Sequence, residues 1–129
     1  LVRRHIRAFE DAEFDELAGR KVLFVGPDRC QWFEWEDQSV DLSRRGPPRR
    51  ILAGLVEAHA ESPGRGLDVH QIVELGWPDE VVQPEAAKSR TYTAIRTLRD
   101  LGLRDILLTT DQGYLLDPEV PVVQSDSPR

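Results

Sequence analysis

Residues 90–116, RTYTAIRTLRDLGLRDILLTTDQGYLL, constrain this chain more than any other stretch. Thr91, Ala94, Ile95 and Leu98 recur at helical spacing, so the first half presents one apolar stripe. Gly102 follows, the residue that most cheaply takes the left-handed conformation in which helices stop. Two short β-prone runs come next, 105–110 and 114–116, joined by the tight turn Asp111-Gln112-Gly113. The spacing predicts a helix of about 86–101 running straight into a hairpin over 105–117.

Two further helices are legible upstream. Ile51, Leu52, Leu55 and Val56 form a compact helical stripe, with Ser43 or Gly46 as candidate caps and Pro47 and Pro48 in the first turn. Asp68 with Gln71 makes a capping-box pattern, Leu67 and Ile72 suit a hydrophobic staple, and Gly76-Trp77-Pro78 closes that helix. Ahead of them, 21–25, 31–35 and 39–42 read as three short strands separated by turns, an antiparallel meander. Trp32, Phe33 and Trp35 fall in the second strand, where packing against the core competes with a role as a binding surface. Residues 1–19 read as an amphipathic linker or appended helix, with Val2, Ile6, Phe9 and Leu17 near one face. That helix could also bring two copies together. The reading therefore has residues 1–19 as an appendage, 20–120 as one domain and 121–129 as a disordered tail.

The buried cluster expected from these phases is Ile51, Leu52, Leu55, Ile72, Leu75, Trp77, Ile95, Leu98 and the Tyr114 ring. The fold class is α+β: a three-helix core with an N-terminal antiparallel sheet and a C-terminal β-hairpin.

Charge is distributed unevenly. The whole chain carries a formal net charge of −6. Residues 84–104 nevertheless hold five basic side chains (Lys88, Arg90, Arg96, Arg99, Arg104) against two acidic ones, while 105–129 hold one basic against five acidic. The third helix is thus a basic strip on an acidic protein. The chain contains no Met and begins with Leu, which suggests a piece of a longer protein. It has no run of 18 apolar residues and no apolar segment behind its first residues, so neither a membrane span nor a secretory signal is expected. A single cysteine, Cys30, points to a reducing, cytoplasmic setting.

Catalytic and metal chemistry find little support. His5, His59 and His70 lie on three separate expected helices without ligand spacing. Cys30 has no evident paired base, and Gly64-x-Gly66 sits in an ordinary turn rather than a phosphate loop. The expectation is a protein that is not an enzyme and needs no cofactor or metal.

Residues of about 40–117 resemble the winged-helix effector domain of the OmpR-type response regulators. The resemblance is carried by Leu42-Ser43, Ile51-Leu52-x-x-Leu55, Leu67-Asp68, Gly76-Trp77-Pro78, Ile95-x-x-Leu98-Arg99 and Gly113-Tyr114-x-Leu116, in that order. It implies a winged helix-turn-helix that binds double-stranded DNA in a transcription regulator, controlled by phosphorylation elsewhere in the full chain. It also implies that the third helix enters the major groove and that the hairpin, the wing, touches flanking backbone. Two departures bear on DNA affinity. Thr110 and Asp111 stand where the family's wing usually has an arginine, and Asp100 and Leu101 follow Leu98-Arg99 where a basic residue is common.

With Ile95 at the centre of the buried face, Arg90, Thr93, Arg96 and Thr97 point outward. Arginine there suits phosphate or guanine, and threonine suits phosphate or a thymine methyl. Lys88, Ser89 and the helix amino end could hold a phosphate. Arg99 on the basic strip and Thr110 on the wing complete the DNA-binding set. Asp100 shares the exposed arc and would repel phosphate. A winged-helix module that binds a protein partner is the competing reading, favoured by the neutral or acidic wing and disfavoured by the basic strip.

Overall fold

The computed structural model describes residues 20–126. The expected N-terminal helix over 1–19 lies outside the described residues. The elements run β1 (Leu23–Val25), β2 (Trp32–Trp35), β3 (Gln38–Asp41), α1 (Gly46–Glu61), α2 (Val69–Gly76), α3 (Pro84–Leu98), β4 (Leu107–Thr110), β5 (Gly113–Leu116) and β6 (Val122–Gln124). Among the described residues the architecture is α+β: three helices, a mixed four-stranded sheet and a two-stranded hairpin.

The three early strands pair as the expected antiparallel meander, with Phe24 opposite Glu34 and Phe33 opposite Val40. The sheet does not end there. β6 lies parallel to β1, in the order β3-β2-β1-β6, so the sheet is mixed rather than antiparallel. This corrects the expectation of a disordered tail from 121. Leu23 donates its N–H to the Pro121 carbonyl (2.9 Å), Ser125 donates to the Val25 carbonyl (2.9 Å), and Val123 is buried. A parallel partner needs a long crossover connection, and here the helices and hairpin together supply it. No local pattern in PVVQSDSPR signals a partner a hundred residues away.

Trp32, Phe33 and Trp35 are all buried, so they pack the domain rather than form a surface. α1 buries Ile51, Leu52, Leu55 and Val56. Neither expected cap is used: Arg45 is the N-cap without a side-chain bond, and Gly46 is already helical. Ser43 instead donates both its N–H (2.8 Å) and its hydroxyl (2.6 Å) to Asp41 Oδ1, forming a local turn before the helix. α2 begins on the capping box, in which Gln71 N–H donates to Asp68 Oδ1 and Asp68 N–H donates to Gln71 Oε1, each at 2.9 Å. Its other end is held from α1, where Arg50 Nη2 donates to the Gly76 carbonyl at 2.6 Å. Cations near helix C-terminal carbonyls are favourable for this reason.

α3 buries Thr91, Ala94, Ile95 and Leu98, the stripe read from the spacing. Beyond Leu98 the chain winds through a wider turn over Arg99–Leu103, inside which Gly102 swings to φ 141°. β4 and β5 then pair in register from Leu107–Leu116 to Thr110–Gly113, leaving Asp111 and Gln112 as the loop. Leu67 bridges to Tyr114 through reciprocal backbone bonds of 2.8 and 2.9 Å, so the hairpin is tied to the strand-like residue ahead of α2. Gly113 has φ 128°, and a Cβ there would overlap the Leu67 carbonyl, so that bridge requires glycine. Of the expected core, Ile51, Leu52, Leu55, Ile72, Ile95 and Leu98 are buried; Leu75, Trp77 and Tyr114 are half-buried and pack against them. Among the described residues no helix is long and apolar enough to cross a membrane.

Leu98 is fully buried, so Leu98→Ala should lose about 2–5 kcal/mol of unfolding free energy in a urea titration. Deleting residues 121–129 should also lower the urea midpoint, because β6 and buried Val123 go with it. A truncated chain with an unchanged midpoint would mean that β6 contributes nothing to the sheet.

Candidate nucleic-acid interface

The sequence places eight residues on the third helix and the hairpin as DNA contacts, and the structure divides them into two groups. Lys88, Ser89, Thr93 and Arg96 lie exposed along α3, with Thr97 half-buried beside them. These five point into solvent from one continuous face, because the opposite stripe of Thr91, Ala94, Ile95 and Leu98 is in the core. Lys88 makes no ion pair among the described residues, so its ammonium is available to a ligand.

Arg90, Arg99 and Thr110 are engaged by the protein itself. The Arg90 guanidinium lies 5.2 Å from the Trp77 ring centroid and donates to Glu80 Oε1 at 3.1 Å. It pins the start of α3 to the end of α2, and cation–π contact adds to the ion pair. Arg99 turns toward the hairpin: Nε and Nη2 donate to the Leu107 carbonyl at 3.0 and 2.7 Å, and Nη2 also donates to Thr109 Oγ1 at 2.8 Å. Its guanidinium is 6.0 Å from the Tyr114 ring centroid. Thr110 closes the hairpin turn, accepting from Gln112 N–H (3.2 Å) and donating to the Gly113 carbonyl (3.3 Å). A helical wheel centred on Ile95 carries no information about partners outside the helix, so it turns Arg90 outward without showing Glu80 or Trp77. A count of charges along the strip says nothing of the hairpin carbonyl that Arg99 meets.

Sequence reasoning also passed over residues that share this face. Tyr92 is 64% exposed, an unusual exposure for so large a ring. Its position one residue after Thr91 was the available signal. Arg104 sits past the widened turn and pairs with Asp100, which is also 3.7 Å from Arg96 Nε. Between α3 and the hairpin runs a groove of about 530 Å³, lined by Tyr92, Arg96, Arg99, Asp100, Arg104, Thr109 and Tyr114. The surface can bind an anion through guanidinium and ammonium groups, donate from hydroxyls and stack on an exposed aromatic ring.

The other reactive side chains are placed differently. His70 Nε2 is 2.9 Å from Glu74 Oε1 on the exposed side of α2. Burial pushes the Cys30 thiol up to about 12, against the opposing pull of Arg49 and Arg29, so it is a thiol rather than a thiolate at neutral pH. Among the described residues no group of three His, Cys, Asp or Glu side chains could hold a metal ion.

The two groups of arginines should separate in stability measurements. Arg99→Ala removes charge-assisted bonds to a half-buried carbonyl and should lose about 1.5–3 kcal/mol. Arg96→Ala, on an exposed ion pair, should change stability by less than about 1 kcal/mol. Equal urea midpoints for the two variants would show that the guanidinium of Arg99 does not hold the hairpin. Compared with protein-family models, with curated proteins and with solved structures, the chain matches none.

Proposed function

We propose that this chain is a winged helix-turn-helix module that binds duplex DNA as the effector part of a cytoplasmic transcription regulator. α3 lies in the major groove, and the hairpin of β4 and β5 is the wing against the flanking backbone. The observation that carries this reading is the outward face of α3. Lys88, Ser89, Thr93 and Arg96 stand exposed along it, and a hairpin is fixed beside its far end. The order of three helices followed by a hairpin tied back to Leu67 also supports it. So does the resemblance of residues 40–117 to the OmpR-type effector domains.

A protein-binding module is the second reading, and one observation favours it. Tyr92 and Val81 are large exposed apolar side chains, at 64% and 96%, and Asp111 makes the tip of the hairpin acidic.

The contact inventory sets the expected strength. Arg90 and Arg99 are spent on Glu80 and Leu107, which leaves Lys88, Arg96 and the hydroxyls of α3 for phosphate. With about two to three phosphates neutralised, log affinity should fall against log salt with a slope of about −2 to −3. Binding by one copy should be micromolar or weaker. Titration of a random duplex between about 50 and 200 mM salt measures both, over the range where the counterion effect is most visible. Lys88→Ala should flatten the slope by about one, and Asp111→Lys should tighten binding. Absence of binding at the lowest salt by the parent and by Asp111→Lys alike would favour the protein-binding module.

A further inference from the structure

The geometry points to the groove between α3 and the hairpin as a backbone-phosphate site for duplex DNA, in which the Asp100 carboxylate stands in the phosphate's place until DNA displaces it. This rests on the DNA-binding reading above and adds Arg104 and Asp100 to the interface. Arg96 belongs to the last turn of α3 and Arg104 follows the widened turn, so each lies four residues from Asp100. A regular helix would not continue through Gly102, whose φ is 141°. The widened turn nevertheless returns Arg104 to Asp100, where Nη2 donates to Oδ1, while Arg96 Nε approaches Oδ2 at 3.7 Å.

One carboxylate oxygen therefore faces each guanidinium. Two non-bridging oxygens of a phosphodiester present the same pattern, and guanidinium groups bind both anions in this way. The three side chains are all more than half exposed, at 67%, 52% and 65% for Arg96, Asp100 and Arg104. Exposed pairs of this kind are weak in water, so an incoming phosphate can replace the carboxylate without unfolding anything. The groove offers further donors. Thr109 Oγ1 accepts from Arg99, which leaves its hydroxyl hydrogen to give, and the Tyr92 ring lines the same groove.

The consequence is for affinity. A carboxylate at a phosphate site weakens binding to every duplex equally, because the backbone carries no sequence information. The difference between specific and unspecific duplexes is therefore unchanged and rests on base contacts from Thr93 and the rest of α3, while Asp100 lowers the affinity for both.

The experiment measures binding of the full chain to a fluorescent random duplex of roughly 20 base pairs between about 50 and 200 mM salt, the range in which counterion release is resolved. The parent is compared with Asp100→Asn, with the double variant Asp100→Asn/Arg104→Ala, and with Glu61→Gln, which makes the same charge change at the end of α1. Asp100→Asn should bind about tenfold tighter, as removal of one like charge close to a phosphate implies. Its salt slope should steepen by roughly one, the contribution of the newly freed Arg104, since Arg96 is already counted among the parent's contacts. The double variant should lose most of that gain, and Glu61→Gln should match the parent. Thermal melting identifies any variant that is misfolded. Tight binding by Asp100→Asn when the parent binds too weakly to measure would support the proposal further. If the parent binds and Asp100→Asn binds with the same affinity and slope, the phosphate lies elsewhere and this site falls while the DNA-binding reading stands. A gain that survives in the double variant, or that Glu61→Gln reproduces, also overturns the site, since bulk charge would then explain it. If neither the parent nor Asp100→Asn binds DNA, both the site and the reading fail together.

Discussion

Arg99 leaves the widened turn after α3 and directs its guanidinium into the hairpin, donating to the Leu107 carbonyl and to Thr109 Oγ1. A two-stranded hairpin is marginal in water by itself, so its position depends on what ties it to the body. Here there are two ties: the Arg99 guanidinium on one side and the Leu67–Tyr114 backbone bridge on the other. The apolar residues Leu107, Leu115 and Leu116 are buried once the hairpin is so placed. The groove, the exposed tip at Asp111 and Gln112, and the relation of both to α3 follow from that placement.

The same economy of arginines governs the electrostatics. A chain of net charge −6 can approach a polyanion only through a local concentration of cations. Residues 84–104 provide one on paper, with five cations, yet the folded domain assigns four of them to partners of its own. Arg90 is with Glu80, Arg99 with the hairpin, and Arg96 and Arg104 with Asp100. The Asp100 pairs of the last two line the groove; the Arg90–Glu80 pair is exposed as well but is backed by the Trp77 ring. Affinity in such a surface is limited by intramolecular competition rather than by the number of basic residues.

Sheet closure shows a different kind of dependence. β6 runs beside β1 and brings Val122 and Val123 against the body of the domain, after the chain has completed every helix and the hairpin. The pairing is therefore the longest-range strand pairing among the described residues. Arg20 adds a contact to the Glu119 carbonyl at 2.8 Å, which ties the segment entering β1 to the segment entering β6.

What the amino-acid sequence determined by itself is the local order. The apolar stripe of α3, the capping box at Asp68 and Gln71, the stop at Gly102 and the tight turn before Gly113 are each encoded within a few residues. Period, capping and turn chemistry act over such distances, and the elements they specify are the ones found. Other features were decided only by the tertiary structure, because they join residues far apart in the chain. β6 beside β1, Arg50 on the Gly76 carbonyl and Arg90 over Trp77 are of this kind. The hairpin partners of Arg99 were equally hidden, and Arg104 meets Asp100, only four residues back, through a widened turn that a regular helix would not predict. Both arginines read as free cations on a strip, and whether a guanidinium is free is set by the carbonyls and carboxylates that folding brings within about 3 Å of it.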